Sequence, residues 1–228
     1  MTDYYNADNV YCCTYQEEIS GYMAGYAAVK LGYKHLGFLG GMSVPAVTRF
    51  GYGYVQGVDE AAKELGITSD VELEYVCGGQ FYGDADITAY MDTWYGSKGV
   101  EVVFACGGGI YTSAAEAAAK VDGKVIGVDS DQSSIAPNTV LTSAMKRVDN
   151  AVYEAVQELI DGTLEGGIKS FDLAAGGVDI APSQDLIAPE VITAVEEVKE
   201  KIVSGEVVVP ADKESFEAKY GADAYQLD

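Results

Sequence analysis

Short apolar runs that end in glycine alternate with longer segments of helical periodicity along most of this chain, and this alternation constrains its fold more than any other feature. The runs at 35–41 (HLGFLGG), 102–109 (VVFACGGG) and 124–131 (KVIGVDSD) are typical of buried parallel strands. Segments with helical spacing of apolar residues follow, such as 45–65 and 148–161. Strands that alternate with helices of this length predict a doubly wound α/β fold around a parallel sheet, which binds ligands beyond the carboxyl ends of its strands.

The same reasoning predicts the remaining elements. Further helices are expected at 14–31, 84–96, 111–121 and 189–205, and further strands at 71–77 and 139–147. Short strands are expected around a Gly-Gly turn within 168–181, and the polar tail after 205 is expected to lie along the surface. The glycines of GYGYVQG at 51–57 are expected to let a helix pack closely on the sheet.

The charge of the chain narrows its range of partners. Its 14 Lys and Arg residues against 36 Asp and Glu residues give a formal net charge of −22. A charge this negative argues against binding to nucleic acid and to anionic membrane surfaces, because both are densely negative. No apolar stretch reaches the ~20 residues of a membrane-spanning helix. The first residues also lack the basic and apolar regions of a signal peptide.

Motifs for catalysis, cofactors and metals are absent from the sequence. Its single histidine, His35, begins a predicted strand and so lies at the edge opposite the expected ligand site. There is no G-x-S-x-G, no Walker A and no G-x-G-x-x-G motif. The cysteines form no C-x-x-C pair and are expected to be buried thiols: Cys12, Cys13, Cys77 and Cys106. The sequence therefore favours a binding protein over an enzyme and predicts no cofactor.

Residues suited to polar ligands follow the strand ends. Glycines after a strand, such as Gly108, let a ligand approach the backbone. An Asp that closes a parallel strand, as Asp129 does, can hold two neighbouring hydroxyl groups of a ribose with its two carboxylate oxygens. Lys146 follows the next strand and is expected to pair with Asp129. The alternative is purely structural, since glycine-rich strand ends and Asp residues that cap helices are common in this fold class.

Four blocks, in their order and spacing, resemble the basic membrane protein family: GFLGGMSVPAVTRFGYGYVQGVDEA, VVFACGGG, VIGVDSDQ and LTSAMKRVDNAVYEAV. The late SGEVVVPAD is similar to the family's usual ending. Members are substrate-binding lipoproteins of ABC transporters that bind purine nucleosides. The resemblance extends over 10–212 and implies a type I periplasmic-binding-protein-like fold, a purine nucleoside or related small molecule as ligand, and an ABC permease as the partner of full-length relatives.

The resemblance also implies roles for individual residues. Asp129 matches the ribose-binding Asp of the family, and Lys146 matches its charged companion. Phe104 matches an aromatic residue that stacks on the base, with a core position as the alternative. Met42 and Gly108 lie at adjacent strand ends and are further candidates.

Relative to the family, this chain starts near the crossover into the second lobe. The resemblance therefore implies that the first lobe is largely missing, together with the signal segment and lipobox that place full-length relatives outside the cell on a lipid anchor. We expect 1–136 to form the ligand-binding second lobe with its entry helix, and 137–167 to be a crossover segment of the first lobe. Residues 168–228 are expected to hold the return strands, the C-terminal helix and the tail.

Three hypotheses about function follow. The first is a solute-binding protein of an ABC transporter that binds its ligand between two lobes without catalysis. The second is a truncated single lobe with weak or no ligand binding that self-associates as a homo-oligomer. The apolar stripe of the helix at 148–159 supports the second, because its partner would be missing. The third is a nucleoside-processing enzyme, for which no general base with a partner is visible.

Overall fold

A six-stranded sheet forms the centre of the protein in the computed structural model, which describes residues 9–181 and 185–221. The spatial order of its strands is β3-β2-β4-β5-β6-β8. The first five are parallel to their neighbours, whereas β8 is antiparallel to β6. The strands are β2 (His35–Gly40), β3 (Glu72–Cys77), β4 (Val102–Cys106), β5 (Lys124–Asp129), β6 (Val140–Lys146) and β8 (Val178–Ile180).

A second sheet has only two strands. β1 (Tyr11–Tyr15) runs parallel to β7 (Gly167–Phe171), with Tyr11 opposite Gly167 and Tyr15 opposite Phe171. Within the described residues, no further strand pairs with either outer edge of this sheet. A sheet of two strands has little stability of its own. Its two outer edges are available for pairing with a further strand.

Helices cover both faces of the larger sheet, as the sequence predicts for a doubly wound α/β fold. One face packs against α1, α2 and α6, and the other against α3 and α4. Each face has its own apolar core. The helices are α1 (Glu17–Lys30), α2 (Pro45–Leu65), α3 (Ala85–Thr93), α4 (Tyr111–Ala119), α5 (Val148–Asp161), α6 (Pro189–Val203) and α7 (Lys213–Tyr220).

The ends of the helices follow local signals in the sequence. Pro45 occupies the first turn of α2, where its missing N–H is not needed. Gly66 and Gly162 end α2 and α5 with positive φ angles of 68° and 70°, which glycine adopts at little cost. The carboxylate of Asp84 caps α3 by accepting a hydrogen bond of 2.9 Å from the N–H of Ile87.

The glycines within α2 were expected to pack against the sheet, but most of them pack against α1. Only Gly51 faces the sheet, against the Tyr75 hydroxyl. Gly53 and Gly57 instead face α1, whose Glu18 and Tyr22 carbonyls lie where Cβ atoms on these glycines would be. These glycines therefore allow two helices, rather than a helix and the sheet, to touch at their backbones.

Strand pairing divides the range 137–167 that the resemblance placed in a first lobe. β6 pairs with β5 inside the six-stranded sheet, so it lies with the strands that precede it. α5 and β7 lie outside that sheet, and β7 pairs with β1. The range therefore contains one strand of the larger sheet and two elements outside that sheet. The division of the chain into lobes stays a prediction.

One face of α5 is apolar and unprotected. Within this helix only Ala151 is buried. Large apolar residues of α5 are between 45% and 72% exposed: Val148, Val152, Tyr153, Val156, Leu159 and Ile160. The stripe predicted at 148–159 is thus largely open to solvent, and α5 does not fold back onto the larger sheet.

The tail contains one more helix than the sequence predicts. Phe216 of α7 is only 2% exposed and stacks on Tyr52 of α2 with ring centroids 4.6 Å apart. The Tyr220 hydroxyl donates a hydrogen bond of 2.9 Å to Asp59. The tail is therefore attached to α2. Within the described residues, no helix is both long and apolar enough to cross a membrane.

Candidate functional site

Two cavities meet at the carboxyl edge of the six-stranded sheet. The smaller, of about 240 Å³, lies between the ends of β4, β5 and β6 and the first turns of α2. The larger, of about 770 Å³, lies between β1, the start of α2 and the apolar face of α5. Val44, Ala46 and Lys146 line both cavities, so the two form one open groove. This is the edge at which the fold class binds ligands.

Asp129 and Lys146 form an ion pair in the smaller cavity. They end the neighbouring strands β5 and β6, and Lys146 Nζ lies 3.0 Å from Asp129 Oδ1. The expected proximity of these two side chains is confirmed. Oδ1 is buried and has no directed hydrogen bond among the described residues, while the Asp129 side chain as a whole is 44% exposed. The carboxylate is therefore held by a cation on its buried side, and the exposed remainder of the side chain is open to the cavity.

The backbone at Asp129 is strained. Its φ angle is +65°, in a region that side chains other than glycine rarely adopt. The N–H of Ser130 donates a hydrogen bond of 2.8 Å to the carbonyl of Val128, which closes a γ-turn around Asp129. Strain of this kind costs ~1–3 kcal/mol and concentrates at functional sites. The turn is thus independent support for Asp129 as a site residue.

Phe104 is a core residue. Its side chain has no exposed surface, and its ring lies 5.3 Å from that of Phe38, 5.9 Å from Phe50 and 5.3 Å from Tyr54. A base cannot reach this ring unless those neighbours move. The structure thus places Phe104 in the core on the α1 and α2 face of the sheet, the alternative that the sequence left open, and its stacking on a ligand stays a prediction.

Of the two further candidates, Gly108 lines one of these cavities and Met42 lines neither. Gly108 lines the smaller cavity together with Asp129 and Lys146, and its φ angle is +53°. A Cβ atom there would lie 3.1 Å from the Phe81 carbonyl, so the glycine keeps the rim of the cavity narrow. Met42 is 41% exposed at the end of β2, at the same edge of the sheet. It is not among the described residues that line either cavity.

An aromatic ring that sequence reasoning missed lines the same cavity. Phe81 follows β3 in the loop to α3 and is 38% exposed. Its ring packs over Gly41, where a Cβ atom would come within 2.5 Å of the ring. In the sequence, the available signal was an aromatic residue two positions after the Gly78-Gly79 pair that follows β3. Phe81 is therefore the exposed aromatic ring at this cavity, in contrast to the buried Phe104.

The larger cavity has a charged pair at its floor. Arg49 Nε donates a hydrogen bond of 2.7 Å to Oε2 of Glu17, and both residues line the cavity. Tyr15 lies beside them, and burial, followed by the charges of Cys13 and Glu17, raises its pKa to about 12. The ammonium of Lys146 lies 6.0 Å from the centre of the Tyr15 ring and 5.9 Å from that of Phe50. Aromatic rings and fixed charges thus surround the groove.

The thiol of Cys106 lines the smaller cavity as a neutral group. Burial, and next the Asp129 carboxylate, raise the pKa of Cys106 well above its usual range, while Lys146 acts in the opposite direction. A thiol held in its protonated form is a poor nucleophile. His35 lies at the start of β2, at the opposite edge of the sheet, where its Nε2 is 3.8 Å from both Glu72 and Glu74. Cys106 therefore offers the groove a neutral thiol, and His35 lies outside the groove.

The family of the chain follows from comparison with known proteins. The family described as ABC transporter substrate-binding protein PnrA-like matches residues 2–213. The chain belongs to this family. It is 33% identical over 222 residues to the ABC transporter nucleoside-binding protein BmpA of Lactococcus lactis, a match that covers 89% of this chain and 61% of the relative. It is 31% identical over 220 residues to basic membrane protein A of Borreliella afzelii, covering 92% of this chain and 64% of that protein.

The fold agrees with that of solved members of the same class. A solute-binding protein of an ABC transporter system from Aeropyrum pernix K1 superimposes with a TM-score of 0.78 at 26% identity. The match covers 94% of this chain and 70% of the solved one. The chain spans about three fifths of the length of the curated relatives it matches. The predicted family and the α/β fold similar to periplasmic binding proteins are confirmed.

Proposed function

We propose that this PnrA-like chain carries the ligand-binding half of a solute-binding protein for an ABC importer, and that its ligand is a purine nucleoside. The observation that carries the proposal is the Asp129 carboxylate, held on a strained turn and paired with Lys146 at the rim of an open groove. Family membership supports the transport role, and the name of the Lactococcus lactis relative supports a nucleoside as the ligand.

The chemistry of the groove fits a ribose that carries a base. With Oδ1 buried beside Lys146, the exposed part of the Asp129 carboxylate accepts hydrogen bonds from the hydroxyl groups of a ribose. Lys146 Nζ, 3.0 Å from Oδ1, holds that carboxylate in place. The exposed Phe81 ring offers a face on which a base stacks, and Gly108 lets the ligand approach the backbone. Binding in this scheme involves no bond breaking.

The open face beside the groove indicates the second half of the site. The larger cavity is bounded on one side by β1 and α5, and the apolar residues of α5 are exposed. The two-stranded sheet of β1 and β7 is open at both edges within the described residues. We infer that the part of the relatives' length that this chain does not span packs here and closes the groove over the ligand by a hinge motion. An ABC permease is then the partner of a protein with both halves of the site.

Isothermal titration of the chain with adenosine, guanosine, inosine and ribose tests the proposal. We expect nucleosides to bind at least ~100-fold more weakly than to a two-lobed relative, because the chain spans about three fifths of the length of its relatives and so offers a ligand less surface. Asp129→Asn is expected to weaken the remaining binding by up to the ~2–4 kcal/mol of a charge-assisted hydrogen-bonded pair, which takes it below detection. The matched control is Asp122→Asn, since Asp122 also has a positive φ, of 58°, and a lysine partner at 3.1 Å, but lies before β5 at the opposite edge of the sheet. Binding that survives in Asp129→Asn, or is lost equally in both variants, contradicts the proposal.

The exposed face of α5 favours a second candidate function, a single lobe that self-associates. Five of its exposed apolar side chains are at least half exposed: Val152, Tyr153, Val156, Leu159 and Ile160. A patch of this kind promotes association between copies. Light scattering coupled to size-exclusion chromatography distinguishes the candidates, because a monomer that binds nucleosides favours the first and an oligomer without nucleoside binding favours the second.

A further inference from the structure

We propose that Ser143 is a positioning residue for ligand binding: its buried hydroxyl anchors the loop after β5 and thereby aims the Asp129 carboxylate into the groove. The inference rests on the proposed function for its effect on affinity. Its effect on the conformation of Asp129 is independent of any ligand.

Asp129, the last residue of β5, departs from the geometry of a regular strand. In a regular strand, neighbouring side chains point to opposite faces, so Val128 and Asp129 would be separated by the sheet. Both instead line the smaller cavity. The positive φ of Asp129 and the γ-turn around it redirect the chain at this point. Because this backbone conformation is unfavourable on its own, contacts from the surrounding structure must stabilise it.

The Ser143 hydroxyl closes the loop that follows this turn. Its Oγ accepts a hydrogen bond of 3.0 Å from the backbone N–H of Gln132, three residues after Asp129. Ser143 is 0% exposed and Gln132 is 6% exposed, so water does not replace this bond readily. Because Ser143 lies in β6, the bond ties the loop to the strand that carries Lys146.

The space over β5 is shaped for this anchor. Gly127 is directly opposite Ser143 in the pairing of β5 with β6. A Cβ atom on Gly127 would lie 2.5 Å from Oε1 of Gln132 and 2.6 Å from the Ser143 Oγ. Only glycine at this position lets Gln132 fold back over the strand and reach the hydroxyl. The loop from Asp129 to Gln132 is thus fixed to β6 at both ends, by the ion pair of Asp129 with Lys146 and by the hydrogen bond of Gln132 to Ser143.

Ser143→Ala tests the assignment, with Thr142→Val as the matched control. Thr142 is the adjacent residue of β6 and is 1% exposed, and its hydroxyl has no hydrogen-bond partner among the described residues. The backbone and side-chain NMR resonances of Asp129 and Lys146 report on the turn without ligand, and titration with adenosine reports on affinity. Ser143→Ala is expected to shift the Asp129 resonances and to weaken adenosine binding about tenfold, as for the loss of one buried hydrogen bond. Thr142→Val is expected to change neither.

A structural role alone has a different signature. If Ser143→Ala lowers only the melting temperature, with Asp129 resonances and affinity as in the wild type, the proposal is overturned. If the wild type itself does not bind adenosine, the proposed function fails, and the Asp129 resonances alone decide the positioning role. Should Ser143→Ala not fold, Gly127→Ala displaces the same anchor from the opposite side and keeps the hydroxyl. Unchanged Asp129 resonances in a folded Gly127→Ala variant also overturn the proposal.

Discussion

Glu18 makes the stability of the protein depend on pH, and Glu18→Gln is expected to remove that dependence. Glu18 is 6% exposed in the first turn of α1, and its Oε2 has no hydrogen-bond partner among the described residues. Burial, with a smaller contribution from Glu17, raises its pKa from 4.5 to about 7, against the opposing effects of its own backbone and of Arg49. The folded state therefore holds this proton more tightly than the unfolded state.

The sign and size of the effect follow from this shift in pKa. Well below pH 4.5 the carboxyl is protonated in both states and contributes nothing. Between pH 4.5 and about 7 the free energy of unfolding falls as pH rises, and above this range the full cost is about 3 kcal/mol. Because Gln does not titrate, the stability of Glu18→Gln relative to the wild type is expected to rise by about this amount between pH 4.5 and 8.

Urea denaturation of both proteins at half-unit pH steps measures the difference. Glu190→Gln is the matched control, since Glu190 is an exposed residue in the first turn of α6. It is expected to follow the wild type at every pH. A difference between Glu18→Gln and the wild type that stays constant across this range would refute the reasoning.

Three further predictions concern the groove, the open helix and the core. Asp129→Ala is expected to cost ~2–4 kcal/mol of nucleoside affinity with little change in melting temperature, and Lys146→Met to weaken binding with the fold intact, both measured by calorimetric titration and thermal melting. Normal binding by either variant contradicts its assigned role. If the chain self-associates through α5, Val152→Asp is expected to lower the mass of the oligomer measured by light scattering. Val121→Asp, at a valine that is 51% exposed and lies outside α5, is expected to leave that mass unchanged. Phe104→Ala is expected to lower stability by ~3–5 kcal/mol in urea denaturation, and a loss below ~1 kcal/mol would show that Phe104 does not have the core role seen here.

Local signals made most of the larger sheet and its helices predictable. Runs such as HLGFLGG carry the apolar composition of a parallel strand together with the glycine that ends it. Gly66 and Gly162 mark helix ends because a positive φ favours glycine. The pairing of Asp129 with Lys146 was predictable because neighbouring parallel strands end at the same edge.

Long-range pairing and the direction of side chains were not predictable in this way. β1 pairs with β7, which lies more than 150 residues away in the sequence. The five residues of β1 show no alternation of polar and apolar side chains that would distinguish them from the helix that follows. Phe104 lies in a strand with both faces buried, so its sequence position does not show whether its ring faces a ligand or the core. Phe81 lies in a loop, where its neighbours in the fold, Gly41 and Gly108, come from other strand ends.

Amide chemical shifts during titration with adenosine test most directly whether the groove at the carboxyl edge binds nucleosides. We expect the largest changes at Asp129, Lys146, Gly108 and Phe81, and we expect the same titration of Asp129→Asn to leave these amide shifts unchanged. Changes centred at the opposite edge of the sheet, around His35, or the same changes in Asp129→Asn, would contradict binding at this groove.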